Sequence, residues 1–492
     1  MSAGAAMTIL RNAGSQIGGR LAISLGRMLA ALLIVRYSGA DRFGEYALVI
    51  NFSVLFEWLV DFGQTDIAVR DICQQPRRAG NILRALFHLK LVQSAALSLL
   101  LPALLWLMRY PSDIVWAGLV SGLTLPFYAG VTIFRTVFKV RMRMELDVLA
   151  ELGGLAVMLP LTWYVASMHG SVASLVACYA FARLVFLLLM IAFDGDRRAT
   201  LGTNASRADT IGAFRQAFPL GAAGLMVAVY DSMAIVMLSK LSDLHAVAQY
   251  AAVTRFVYPV IIVVQSLTSA FYPLLSEAWR TSPRNVAHLQ QLSLEFSLLV
   301  AGGLFCAVFT SADFLMALIG PSLADAAGLL RLVSVVLLIR SVTMAMSPLI
   351  IIAGRQTQTM WLTAAAVLLN FVGILALVPR FGVAGVAFGY LGIELFVSLV
   401  PVWLLGLRYS GIRLDYASPV KILLSAVATA LLCSLPPVSG TLWGGIAGGF
   451  LFLALVVLTG AVSPSRLKML MSEITRRAAA APAAGAIEQP NT

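Results

Sequence analysis

The chain has 492 residues, 60% of them hydrophobic and 12% charged, with a net charge of +12. A soluble domain carries roughly 25% charged residues, so composition excludes a water-soluble globular protein and makes lipid the solvent for most side chains. The positive charge is topological rather than a nucleic-acid surface: about 22 of the 35 Lys and Arg fall in alternate inter-helix segments and about 5 in the intervening ones.

A spanning helix needs roughly 20 apolar residues, and the chain divides into about fourteen such runs. The first six are 13–35, 44–66, 82–108, 113–138, 145–168 and 171–193. Arg20 and Arg27 interrupt the first run, which is long, so it reads as a span and not as a cleaved signal. A polar segment, 194–210, follows. The second six are 211–239, 246–275, 289–310, 326–353, 357–378 and 383–407, and a final pair covers 420–435 and 441–462. The predicted fold is all-α and membrane-integral. It has an N-lobe (1–193), a linker (194–210), a C-lobe (211–407), a terminal helix pair (408–462) and a disordered tail (463–492) of low complexity.

Loop charge orients this layout. One set of loops holds Arg70, Arg77 and Arg78, then Lys139, Arg141 and Arg143, Arg197, Arg198 and Arg207, Arg280 and Arg284, Arg355, and Arg408, Arg413 and Lys421. The other set is nearly bare: 168–170 and 436–440 contain no Lys or Arg. The positive-inside bias puts the first set, and both termini, in the cytoplasm.

Residues 10–49 align without a gap on 214–253. Arg11 meets Arg215, Leu21 meets Leu225, Ser38 meets Ser242, and Tyr46-Ala47 meets Tyr250-Ala251. The match begins at the first helix of each six-span group, so the two groups share one orientation about an axis along the membrane normal, a transporter's plan. Chance similarity between two amphipathic spans is the alternative.

Ionisable side chains within spans cost about 2.5–3.5 kcal/mol at a helix centre, so they usually face a cavity or a partner. The basic ones are Arg20, Arg27, Lys90, Arg135, Arg183, Arg255, Arg331 and Arg340, and the acidic ones Glu57, Asp61, Asp231, Glu295 and Glu394. Arg135, Glu295 and Arg331 lie near span ends and read as snorkelling. Arg20 and Arg27 share a helix face about 10 Å apart, while Arg183 and Arg340 fall mid-span. A guanidinium fork suits phosphate, so Arg20, Arg27, Arg183, Arg255 and Arg340 are candidate substrate-cavity residues, with salt bridges to intramembrane acids as the competing reading. Arg27 aligns with Asp231, which would set opposite charges across a central cleft.

Glu57 and Asp61 share a face of the second helix, and Glu394 stands alone mid-membrane. With Asp231 they are candidates for coupling or gating, by a proton or a sodium ion, against simple hydrogen bonding between spans. The pairs Gly118/Gly122 and Gly385/Gly389 allow close helix packing. Four cysteines and four histidines lie scattered with no zinc, disulfide or H-E-x-x-H spacing, and no phosphate-loop motif occurs. Neither an enzyme nor a cofactor or metal site is expected.

Several stretches resemble the polysaccharide transporter family, the Wzx-type flippases of the superfamily that also holds the MATE exporters and lipid II flippases. Ser38 through Tyr46 (SGADRFGEY), Asp61-Phe62-Gly63 with Arg70, Gln249 through Arg255 (QYAAVTR), and Phe271 through Ser276 (FYPLLS) resemble its motifs. So does the run from Ser347-Pro348 through Ala353-Gly354-Arg355 and Asn370 to Val378 through Ala387 (VPRFGVAGVA). The resemblance implies a two-lobe, fourteen-helix transporter of the bacterial inner membrane. Its implied cargo is an undecaprenyl-diphosphate-linked oligosaccharide repeat unit of O-antigen, capsule or exopolysaccharide, and its implied partners are that lipid, the bilayer and other polysaccharide assembly proteins. The alternatives are a MATE-like drug exporter or lipid II flippase and, from another class, a membrane polysaccharide polymerase or ligase. The last would need a larger extramembrane loop than 194–209.

Overall fold

The computed structural model describes residues 3–195, 207–281, 283–400, 402–404, 408, 414–434 and 440–461. The predicted tail, most of the inter-lobe linker, and the loop positions 197–198, 409–413 and 436–439 lie outside them. The described residues form helices and turns, with no strand among them. That is what a lipid solvent demands, since a helix satisfies its own backbone N–H and C=O groups.

In the first half these helices are α1 (Ala3–Ser38), α2 (Ala40–Asp61), α3 (Gln64–Gln74), α4 (Ala79–Leu107), α5 (Ser112–Gly122), α6 (Thr124–Val140), α7 (Met144–Ser167) and α8 (Val172–Phe193). In the second they are α9 (Arg207–Leu241), α10 (Leu244–Thr281), α11 (Pro283–Thr310), α12 (Ala312–Ile319), α13 (Ala327–Ile352), α14 (Gln356–Phe381) and α15 (Val383–Ile393), which continues as a π turn over Glu394–Leu399. Helices α16 (Ala417–Cys433) and α17 (Leu442–Leu458) follow. Among the described residues, twelve helical segments are long and apolar enough to cross a membrane, and α16 and α17 are shorter apolar helices. Within the described residues each of the fourteen runs read from hydropathy is predominantly helical, and the protein is a multi-pass membrane protein.

Two of the expected spans are broken. The second ends at Asp61, because Phe62 and Gly63 both take left-handed conformations (φ 40° and 71°) before α3 resumes. The fourth is interrupted at Leu123, between α5 and α6. Hydropathy averaged over a span does not register either break, because each occupies only one or two residues.

Helix α2 is central. It packs against α4, α5, α6 and α8 of its own half and against α9 and α10 of the other, while α1 packs on α7 and α10. In the second half α10 lies on α11 and α13, α14 pairs with α15 and α9, and α16 and α17 cover α11. The predicted small-residue contacts form: a Cβ on Gly122 would sit 2.5 Å from the Ser98 carbonyl oxygen, and one on Gly385 would sit 2.6 Å from the Leu377 carbonyl. At the bare-loop face, here the far face, one apolar core joins both halves, with Phe43 and Leu48 of α2 beside Val247 and Ala251 of α10 and Met316 of α12. Gly44 makes this possible, since a Cβ there would lie 2.1 Å from the Leu244 carbonyl oxygen.

Three residues expected to snorkel do not. Glu295 is buried and accepts a hydrogen bond from Gln291 Nε2 at 2.7 Å. Arg135 Nε contacts both Asp147 oxygens at 3.1 Å, and Arg331 pairs with Asp313. Each has a protein partner for its polar head, which removes the need to extend towards water.

Candidate functional site

A cavity of about 450 Å³ lies between the halves, walled by α1, α2, α7, α9 and α10. A second, of about 190 Å³, runs into the first half and shares Arg27, Glu151 and Arg255 with it, so the two form one chamber. The helices bring polar groups here from five separate stretches: Arg20 and Arg27, Asn51, Glu151, Asp231 and Ser232, and Thr254 and Arg255. Aromatic rings of Trp58, Tyr250 and Tyr258 complete the larger space.

The candidate residues divide by their partners. Arg27, on α1, donates to Glu151 Oε1 of α7 at 2.7 Å. Arg27 and Asp231 line the same cavity from opposite halves, as their alignment anticipated, but Arg27 takes its ion-pair partner from its own half. Arg20 is exposed on the same face of α1, nearer the arginine-rich face of the bundle.

Arg183 forms the back wall of the smaller space. Its Nη2 lies 2.9 Å from each Glu57 oxygen, its Nε donates to Tyr179 Oη at 2.9 Å, and Tyr179 donates to Glu57 Oε1 at 3.0 Å. The guanidinium also lies over the Tyr128 and Tyr179 rings. This is the salt-bridged alternative weighed for Arg183: its hydrogen-bonding capacity is directed at Glu57 and Tyr179.

Asp61 is likewise committed. Its Oδ1 accepts from Lys90 Nζ at 2.5 Å and from Thr65 Oγ1, while Lys90, fully buried, also donates to Thr65 at 3.0 Å and Thr132 at 2.8 Å. Arg340 and Glu394 lie outside the cavity lining. Arg340 sits in the field of Asp231 and Glu394 without a direct ion pair to either.

Arg255 differs from all of these. It lines both parts of the chamber, its buried Nε has no hydrogen-bond partner, and among the described residues no carboxylate pairs with it. Its electrostatic neighbours are Tyr46, Arg27 and Tyr258. The chamber thus presents four guanidinium groups, of Arg20, Arg27, Arg183 and Arg255, against three carboxylates, of Glu57, Glu151 and Asp231. Glu57 and Glu151 are engaged by Arg183 and Arg27, and Asp231 lies in the field of Arg340 without an ion pair to it. Among the described residues Arg20, Arg255 and Asp231 are the lining charges outside an ion pair, and the chamber as a whole carries a net positive charge.

Sequence reasoning missed Glu151. It sits about two turns into the fifth predicted span, at a depth that marks it as an intramembrane acid, and that depth was the available signal. Asn51 carried none, because one neutral amide among apolar residues is common.

A sequence profile described as polysaccharide biosynthesis protein matches residues 9–279, more than half of the chain. The chain belongs to that family. No curated protein sequence matches it significantly. Among solved structures, the lipid II flippase MurJ in an inward closed conformation is similar at a TM-score of 0.75 and 11% identity, over 90% of this chain and 97% of that one. An inward-facing MATE multidrug transporter is similar at 0.62 and 15% identity, over 79% and 95%. A variant of the Vibrio cholerae MATE transporter VcmN is similar at 0.56 and 15% identity, over 82% and 96%. At such identities the likeness concerns the fold, and the bundle of this polysaccharide biosynthesis family member is the MurJ- and MATE-like one.

Proposed function

We propose that the protein is a flippase that carries an undecaprenyl-diphosphate-linked oligosaccharide repeat unit across the bacterial inner membrane by alternating access, with both termini in the cytoplasm. The observation that carries the reading is Arg255, a cation facing an inter-half chamber with no carboxylate of its own. Removing a charge from water without a partner is costly, and an anionic cargo that supplies the missing partner when bound offsets that cost. Diphosphate matches the guanidinium fork, and the rings of Trp58, Tyr250 and Tyr258 offer apolar faces to sugars. The family match supports polysaccharide synthesis as the pathway, and the MurJ-like fold supports movement of a lipid-linked head group.

In this reading Arg20, Arg27 and Arg255 meet the diphosphate, and Arg183 shapes the end wall. Asp231 and Glu394, the carboxylates in the field of Arg340, are assigned to coupling by a proton or a sodium ion. Other polysaccharide assembly proteins would receive the unit after transfer. The test is deletion followed by analysis of lipid-linked sugars in each leaflet. Repeat units should accumulate facing the cytoplasm and be cleared by the wild-type chain but not by Arg255→Ala. Normal delivery to the outer leaflet without this chain or a homologue would overturn the proposal.

A further inference from the structure

Four residues of the second predicted span and its sequel, Asp61, Phe62, Gly63 and Arg70, have no place in the chamber lining. They meet at the arginine-rich end of the seam between α2 and α9. Phe62 ends α2 in a left-handed conformation (φ 40°, ψ 40°), which few bulky residues adopt, with its N–H bonded to the Trp58 carbonyl at 2.8 Å. The turn carries its ring across to the other half, stacked on Phe214 (centroids 5.8 Å apart, 13° between planes) and edge-on to Phe218 at 5.8 Å.

The floor of this socket is Gly221. A Cβ there would lie 2.4 Å from the Phe62 ring and 2.5 Å from the Phe62 carbonyl oxygen, so only glycine admits the contact. Gly63, also left-handed, brings the backbone close to the amide of Gly221, which a Cβ on Gly63 would approach to 3.1 Å. Just past α3's midpoint, Arg70 reaches over and donates to Gln216 Oε1 at 3.0 Å. Asp61 does the opposite: with Lys90, Thr65 and Thr132 it roots the segment in its own half.

The two ends of the molecule are closed by different means. The far face has a continuous apolar core, the Gly44–Leu244 backbone contact, and Lys240 of α9 donating to the Met108 carbonyl at 2.6 Å over the Tyr110 ring. Along the α2–α9 seam at the arginine-rich end, the closure is three aromatic rings, the local backbone approach of Phe62-Gly63 to Gly221, and one exposed hydrogen bond. Ring contacts have little directional constraint and separate without stranding buried polar groups, which suits a contact that must break and re-form.

We propose that the Asp61–Phe62–Gly63…Arg70 segment is a latch that closes the arginine-rich mouth of the chamber along the α2–α9 seam. Phe62 is its tongue, Phe214, Phe218 and Gly221 its socket, and Asp61–Lys90 its anchor. The latch rests on the alternating-access reading above, and it adds the residues that regulate entry to that site. When the mouth opens, Phe62 leaves the socket and the anchor stays.

The test uses the full chain in nanodiscs with Cys73→Ser, and spin labels at Asp66→Cys on α3 and Arg215→Cys on α9. Pulsed electron resonance then reports the distance across the seam. Phe62→Ala empties the socket from one side, and Gly221→Leu fills it from the other. In each, the ratio of long to short distances should rise about tenfold, the response to a change of about 1.4 kcal/mol. A ratio unchanged in the variants that elute as monodisperse protein overturns the latch. Independently, joining Phe62→Cys to Phe218→Cys by a disulfide should leave only the short distance, and a persistent long distance also overturns it. Neither readout needs substrate. A normal distance response with undisturbed delivery of lipid-linked sugar therefore counts against the flippase reading alone.

Discussion

Replacing Glu57 by Leu tests whether Arg183 is held by its partner. The Arg183–Glu57 pair is 9% and 8% exposed at the side chains, with one guanidinium nitrogen 2.9 Å from each carboxylate oxygen. At an effective dielectric near 20, opposite charges about 4 Å apart attract by about 4 kcal/mol. Removing one member of a buried pair typically costs about 3–5 kcal/mol, because the survivor stays uncompensated. With roughly 2 cal/mol/K of unfolding entropy per residue, Glu57→Leu should lower the apparent melting temperature by about 4–10 °C. The smaller figure applies if the whole chain melts together and the larger if the first half melts alone. The double variant Glu57→Leu/Arg183→Met removes both charges and should recover most of the loss. The assay is thermal denaturation of detergent-purified protein followed by size-exclusion chromatography, run on all four corners of the cycle. Additive effects, or a harmless Glu57→Leu, would refute the assignment of Arg183 to a buried pair. Delivery of lipid-linked sugar by the stable double variant then measures what the Arg183 charge contributes to transport apart from stability.

Further outcomes follow from the same geometry. Arg255→Ala removes a cation without a carboxylate partner, so its melting temperature should stay within about 2 °C of wild type while delivery of lipid-linked oligosaccharide falls at least about tenfold; a stability loss with normal delivery would reverse the assignment. Lys90→Met strands Asp61 beside Thr65 and should cost about 3–5 kcal/mol, with Lys90→Met/Asp61→Leu restoring most of it in the same melting assay. Gly44→Val places a Cβ against the Leu244 carbonyl oxygen and should cost at least about 1–3 kcal/mol as overpacking. Spin labels across the far face should report a wider separation in that variant, and an unchanged separation would show that the Gly44 contact does not hold that face closed.

The spans were legible because each depends on a local property, a run of apolar residues long enough to cross lipid. That property called for the helices at 420–435 and 441–462 as well as the long ones. The break at Phe62-Gly63 was not legible, since the left-handed Phe62 is held between the Asp61–Lys90 anchor and the Gly221 socket, and Lys90 and Gly221 are distant in the chain. For the same reason Glu295, under two turns from a predicted span end, reads as a snorkelling carboxylate until Gln291 and the surrounding core enclose it. The candidate site was legible as a set of intramembrane charges and not as an arrangement. Arg27, Arg183 and Asp61 all carry a stated charge at a stated depth, yet nothing local distinguishes Arg183, tied to Glu57, from Arg255, tied to none.

What the sequence determined by itself was therefore a membrane-integral, all-helical chain, the alternation of its basic loops, the family motifs and the inventory of charges that lipid cannot solvate. Tertiary structure alone decided which of those charges neutralise one another. It also decided that Arg27 and Asp231 share a cavity without pairing, and that Arg255 faces that cavity uncompensated. The physical reason is range. Hydropathy acts over one helix, and its consequences are written in consecutive residues. An ion pair such as Arg183–Glu57 acts over a few ångströms in space and, here, 126 positions in sequence, and only the packing of α2 against α8 brings its members together.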